Sequence, residues 1–229
     1  MIAPVDLVMV GAGGHARELH LYIQDLNAQS GRDAIHLLGA IDERKTADPS
    51  GALPVLGDFR AFAKLAADRH ATALHYITAT GDNATRRRFV HEVDGMRHAA
   101  VKAWTLRHPH SIVGGDAVVG EGSCVAPGVV ITSGVRVGRH CILNVKVSLS
   151  HDCQLGDWVN VNPNATICGN ARIGDGCYIG AGATVIDKVS VGEWSVIGAG
   201  AVVVSDIPPR VTAVGVPARI IKHHAEDGR

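Results

Sequence analysis

The chain has no surplus of either charge: 22 basic residues stand against 22 acidic ones over 229 positions. No long-range field therefore draws it to nucleic acid or to an anionic membrane surface, and the expected partner is a small molecule. Any apolar run approaching the roughly 20 residues of a bilayer span is missing. The opening MIAPVDLVMVGAGG shows neither a basic leader nor a separate cleavage site. These absences point to a cytoplasmic protein with no membrane insertion. Metal-type cysteine pairs are missing too: the five cysteines, at 124, 141, 153, 168 and 177, contain no CxxC. An odd number argues against a disulfide framework. Cys141, Cys153 and Cys177 fill slots otherwise taken by Ala, Val, Ser or Ile, so buried, inert thiols are expected.

What is present changes character midway, and two domains follow, residues 1–105 and 106–229. From Val113 to Val203 every sixth residue is aliphatic without a gap, and the residue four further on is small or β-branched. A helix would repeat at three and four, so a strict six describes one short strand and one turn per unit. Three such units close a triangular coil, with aliphatics pointing inward and glycines in the turns. The sixteen units of VGEGS, VGRHC and IGAGA type stack into a parallel β-helix. A regular solenoid also serves as a bare scaffold. A metal site on the prism would need histidines stacked on one edge. His140 and His151 are eleven residues apart, not a multiple of the eighteen-residue coil, so none is expected.

The first half carries VDLVMVGAGGHARELHLYIQDL, a strand, a glycine turn and a helix whose buried stripe is Leu19, Tyr22, Ile23 and Leu26. HLLGAIDE is a second strand ending in Asp42 and Glu43, and ALHYITATGDN a third leading into Gly81. Parallel strands place their ligands outside their carboxyl ends, so these loops are expected to converge. Gly11 to Ala16 satisfies a relaxed G-x-G-x-x-A form. Asp42 lies too far along for the usual dinucleotide acid, and too few residues precede the prism for a two-halved domain. A Rossmann-like half unit suits a mononucleotide. Backbone N–H groups at the helix start would receive its phosphates, and Asp42 or Glu43 its base or ribose. A tight turn with glycines for packing alone is the competing explanation.

The hexapeptides resemble those of the left-handed β-helix acyltransferases. GAGGHARE, a strand ending IDE, a strand ending TGDN, RHPHS, HDCQLGDWVN and the terminal VGVPARIIK together look like the NeuD/PglD-type sugar acetyltransferases, over nearly the whole chain. The resemblance implies an α/β Rossmann-like half domain followed by a left-handed parallel β-helix, with acetyl-CoA as co-substrate. It also implies a homotrimer whose acceptor site lies between one chain's nucleotide domain and a neighbouring prism. Sugar-nucleotide contacts carry over to Gly13, Gly14, His15, Asp42, Glu43 and Gly81. Acetyl-CoA contacts carry over to Asn160, Ala181 and Ala199, with Pro217, Ala218 and Arg219 closing the groove and Arg219 or Lys222 available to CoA phosphates.

LSHDCQLGDW, residues 149–158, sets a histidine and an aspartate into small and β-branched surroundings. Acyl transfer from a thioester to an amine needs a base for the attacking group, and a histidine titrates near neutral pH. His151 takes the third place of its hexapeptide, an outward slot at a prism edge. By resemblance it is the general base and Asp152 the neighbour that raises its basicity, in the manner of a triad. Many relatives carry a second histidine where this chain has Asn160, which hydrogen-bonds but exchanges no proton near neutral pH. Together these residues point to an N-acetyltransferase of a UDP- or GDP-linked amino sugar. O-acetylation of a sialic acid and a non-catalytic trimeric scaffold stand as alternatives.

Overall fold

The structure, a computed structural model, describes residues 4–30, 34–45, 51, 53–68 and 73–225. It divides into two compact units, Met1–Pro109 and His110–Arg229.

The first unit is a five-stranded sheet in which every pairing is parallel. In chain order its elements are β1 (Val5–Val10), α1 (Gly14–Ser30), β2 (Ile35–Ile41), β3 (Val55–Gly57), α2 (Phe59–Ala67), β4 (Leu74–Thr78), α3 (Asn83–Gly95) and β5 (Val101–Ala103). The spatial order β3-β2-β1-β4-β5 puts the change of winding direction between β1 and β4, and such a point opens a crevice at the strands' carboxyl ends. Leu7 to Val10 read as one apolar run because a parallel strand is covered on both faces, and these side chains are at most 1% exposed. Helix α1 buries Ala16, Leu19, Tyr22 and Ile23. Leu26, expected in that stripe, is half-buried instead. Helices α2 and α3 begin at aspartates whose side chains accept backbone N–H bonds, Asp58 from Arg60 and Ala61, Asp82 from Thr85. The short edge strands β3 and β5 leave no trace in the sequence pattern, three residues being too few to show a period.

The second unit is a three-sided parallel β-helix of two-residue strands, each paired with strands one coil away. One face stacks Ile112–Val113, Val130–Ile131, Ser148–Leu149, Thr166–Ile167, Thr184–Val185 and Val202–Val203. The next stacks Val118–Val119 through Gln154–Leu155 to Ser190–Val191. The third stacks Cys124–Val125, Ile142–Leu143, Asn160–Val161, Tyr178–Ile179 and Val196–Ile197, and continues into the hairpin of Val211–Val214 with Arg219–His223. We name these the Thr166, Gln154 and Asn160 faces.

Every sixth-residue aliphatic from Val125 to Val203 is at most 5% exposed, which makes the column the core, while Val113 and Val119 in the first coil are half-buried. Burying each such side chain contributes about 1.5–3 kcal/mol before the entropy of ordering is set against it. The thiols of Cys124, Cys141, Cys153 and Cys177 are buried with this core, while Cys168 is half-buried. Burial pushes Cys153 and Cys177 up to about 12, and Cys177 Sγ lies 3.0 Å from the Gly192 carbonyl. Such groups stay protonated and unreactive at neutral pH.

Candidate active site

Three loops converge at the carboxyl ends of β1, β2 and β4, and together they line a cavity of about 410 Å³. Gly13, Gly14, His15, Asp42, Glu43 and Gly81 all lie on it, joined by Arg44, Lys45, Thr80 and Arg88. Gly11 turns the chain out of β1 at φ +110°, and a Cβ there would sit 3.1 Å from the Ala79 carbonyl oxygen. Gly13 and Gly81 are bare for no internal reason, since a Cβ on either would meet nothing within 4 Å. The open space beside them is where a ligand's phosphates can approach the backbone.

The acids at this mouth are tied to the protein itself. Asp42 Oδ2 accepts from the Ala12 N–H at 2.9 Å, while Oδ1 accepts from the N–H groups of Arg44 and Lys45. Lys45 Nζ donates back to the Ala12 carbonyl at 2.9 Å. Glu43 forms a two-pronged ion pair with Arg88, whose hydrogen bonds hold the Glu43 carboxyl below the usual glutamate range. His15 donates from Nδ1 to Glu18 at 3.0 Å, and that bond likewise lowers the Glu18 carboxyl. His15 Nε2 is buried without a hydrogen-bond partner among the described residues. Sequence patterning singles out Asp42, Glu43 and His15 but misses Arg88 and Lys45, because a long side chain's reach is invisible before the sheet order is known.

On the prism, His151 and Asp152 occupy the edge between the Thr166 and Gln154 faces. Both side chains are exposed, at 61% and 62%, and His151 Nδ1 lies 3.0 Å from Asp152 Oδ2. The carboxylate fixes the proton on Nδ1 and leaves Nε2 with its lone pair. Asp152 adopts φ +60°, a corner conformation shared by Trp158 and Asn164 at the turns of the other two edges. His140 occupies such a corner as well, stacked on Trp158 at 4.8 Å and fully buried. Among the described residues no group of three or more His, Cys, Asp or Glu is placed to hold a metal ion.

Ala181 and Ala199 are exposed, one coil apart on the edge between the Asn160 and Thr166 faces. Gly182 and Gly200 follow them at φ +66°, and a Cβ on either would meet nothing within 4 Å, so this edge presents naked backbone. The tail folds back on the last coil, where the Ala218 N–H donates to the Val202 carbonyl at 2.8 Å. Pro217, Arg219 and Lys222 remain exposed, and Arg219 Nη1 turns back to the Ala218 carbonyl. Asn160 is 4% exposed on the face opposite the His151 edge, in register with Ile142 and Tyr178. Within one chain, then, the fold brings together the six cavity residues, pairs His151 with Asp152, and sets Ala181 and Ala199 across a whole prism face from His151.

Comparison with known proteins agrees with both units. Residues 6–93 match the PglD N-terminal domain and residues 170–205 the bacterial transferase hexapeptide of six repeats. A histidine-to-asparagine mutant of perosamine N-acetyltransferase from Caulobacter crescentus, in complex with CoA and GDP-perosamine, superimposes with a TM-score of 0.83 and 30% identity. That alignment covers 96% of this chain and 98% of the other. The chain belongs to the NeuD/PglD-type sugar acetyltransferases of the hexapeptide-repeat superfamily.

Two further members of this acetyltransferase family are informative. The acetyltransferase domain of PglB from Neisseria gonorrhoeae FA1090, in complex with acetyl coenzyme A, gives a TM-score of 0.82 at 29% identity, with 96% of this chain and 100% of that one covered. A GDP-perosamine N-acetyltransferase from Escherichia coli O157:H7 is 35% identical over 65 residues, which span 28% of this chain and 29% of that relative. Among the described residues of this acetyltransferase no helix is long and apolar enough to cross a membrane.

Proposed function

We propose that the protein transfers the acetyl group of acetyl-CoA to the amino group of a nucleotide-linked amino sugar, and that a GDP-linked sugar of the perosamine type is the acceptor. The observation that carries this reading is the His151–Asp152 pair, an exposed imidazole with Nδ1 held by a carboxylate and Nε2 left to accept a proton. The amine nitrogen attacks the thioester carbonyl and its proton passes to Nε2, while Asp152 steadies the imidazolium. Collapse of the tetrahedral species breaks the C–S bond, the proton moves to sulfur, and CoA leaves as the free thiol. Asn160 exchanges no proton near neutral pH, so acid–base work rests on His151 alone.

The cavity at the sheet's carboxyl ends takes the nucleotide, with Gly13, Gly14, His15 and Gly81 toward the diphosphate and Asp42 and Glu43 at its rim. Its size supports this, as small-ligand sites run from about 300 to 1,000 Å³. Ala181 and Ala199 receive the pantetheine arm, because naked turns admit close approach. Their separation from His151 in a single chain supports a homotrimer in which the His151 edge of one prism meets the Ala181–Ala199 edge of the next. Both substrates are cytoplasmic metabolites, and we assign the protein there.

Thiol release from acetyl-CoA, measured against GDP-amino sugars, UDP-amino sugars and sialic acids, tests the reading. Turnover with a GDP-amino sugar is expected. Turnover with sialic acids alone replaces it by O-acetylation, and nucleotide-sugar binding without any thiol release replaces it by a scaffold. Sedimentation of a fully active monomer would remove the trimer.

A further inference from the structure

We infer that Gly169 is a positioning residue for His151: its bare Cα is the seat on which the imidazole rests, and no side chain is tolerated there while that ring works. This inference depends on the general-base reading of His151.

The middle position of each turn normally bears an outward side chain. On the edge of Trp158 it is Glu121, Arg139, Asp157, Asp175 and Glu193, and on the edge of Ala181 it is Pro127, Val145, Pro163, Ala181 and Ala199. On the His151 edge it is Ser133, His151, Asp187 and Ser205, with glycine at two places: Gly115 in the first coil, where a Cβ would meet nothing within 4 Å, and Gly169 one coil beyond His151. Its backbone does not demand glycine, because Gly169 has no positive φ, unlike Gly134, Gly176 or Gly182. Space does. A Cβ on Gly169 would lie 2.7 Å from both Cε1 and Nε2 of His151 and 3.3 Å from Cδ2, inside any real carbon contact. The backbone joins the same two turns, as the Asn170 N–H donates to the His151 carbonyl at 3.0 Å.

The coil on the other side repeats the accommodation. A Cβ on Gly134 would collide with Asp152 Oδ1, so the catalytic pair lies between Gly134 on the preceding coil and Gly169 on the following one. With Nδ1 held by Asp152 and the ring face set by Gly169, the direction of the Nε2 lone pair is determined by the prism itself. A methyl group at 169 swings the ring off this seat and fills the space beside Nε2 from which an acceptor amine arrives.

The experiment is a double-mutant cycle on the full chain, with thiol release, acetyl-CoA and nucleotide-sugar affinities, and thermal melting measured for each protein. Gly169→Ala is expected to lower kcat by about 10²-fold, the scale of a misplaced reacting group, with both affinities unchanged. In a His151→Ala background the same change is expected to cost less than about twofold, the mark of an effect transmitted through the ring. Should Gly169→Ala melt too low to assay, the double variant, with no ring to collide with, recovers the melting temperature of His151→Ala. Wild-type turnover in Gly169→Ala, or equal losses of rate or melting temperature in both backgrounds, overturns the inference. Full activity of His151→Ala itself overturns the general-base reading instead, which keeps the two failures apart.

Discussion

Glu43 and Arg88 clasp each other at the rim of the cavity on the α/β unit, with Oε1 to Nη1 at 3.1 Å and Oε2 to Nη2 at 2.7 Å. Forty-five positions separate them in the chain, and they meet because β2 and α3 both lead into the crevice beside β1. The pair ties the loop after β2 to the helix after β4, so the cavity's rim is held in shape before a ligand arrives.

The pair makes a pH-dependent contribution to stability. Hydrogen bonds from Arg88 depress the Glu43 carboxyl below its ordinary value of 4.5, so the stabilisation is fully present above that value and is lost as pH falls through the lowered one. Both groups are partly exposed, at 36% and 46%, and the contribution is under about 1 kcal/mol. Melting curves of wild type and Glu43→Gln should differ slightly at neutral pH and converge in acid. A gap that persists at low pH would show that the pair is not its origin.

Asp42 acts on the protein's own backbone. Its carboxylate accepts three N–H bonds and pins the turn at Ala12 to the turn after β2. Asp42→Ala leaves those donors without their acceptor and is expected to cost about 2 kcal/mol or more, seen by denaturant titration with no nucleotide present. Loss of ligand affinity with unchanged stability would make Asp42 a contact residue only.

His151→Ala is expected to reduce turnover by about 10² to 10⁴, the range for a positioned acid–base group, with acetyl-CoA affinity nearly unchanged. Asp152→Asn keeps the shape of the pair but loses the charge, and should reduce turnover by less, since both side chains stand in solvent. Steady-state kinetics with calorimetric binding separates rate from affinity. An Asp152→Asn loss equal to that of His151→Ala would give the carboxylate a larger part than its exposure allows.

Asn160→His tests the place where the resemblance leads one to expect a second histidine. Asn160 is enclosed at 4% exposure, so the larger ring overfills its place and is expected to destabilise by about 1–3 kcal/mol without raising kcat. A faster enzyme of unchanged melting temperature would show that the position is open to an acid–base group.

What patterning alone determined is the prism and its contents. A strict period of six describes a three-sided coil, its hand apart, and each aliphatic from Val125 to Val203 took its place in the core because the triangular coil has room for nothing larger. The place of His151 on an outward edge follows from the same counting, as do the protonated cysteines, whose slots face inward. The glycine turn after β1 was equally legible, since positive φ and bare backbone restrict the residue type.

Tertiary structure alone decided who meets whom. The order β3-β2-β1-β4-β5 brought the Arg88 side chain to Glu43 and the Lys45 side chain to the Ala12 carbonyl, contacts made by side chains long enough to reach across loops and therefore without a spacing to betray them. Counting places Gly169 one coil beyond His151, but only the folded coils show the imidazole bent against it and Asn160 enclosed on its face. A short-range pattern records how a segment folds on itself, whereas the site is made of distances between segments, and those exist only once the sheet is ordered and the coils are closed.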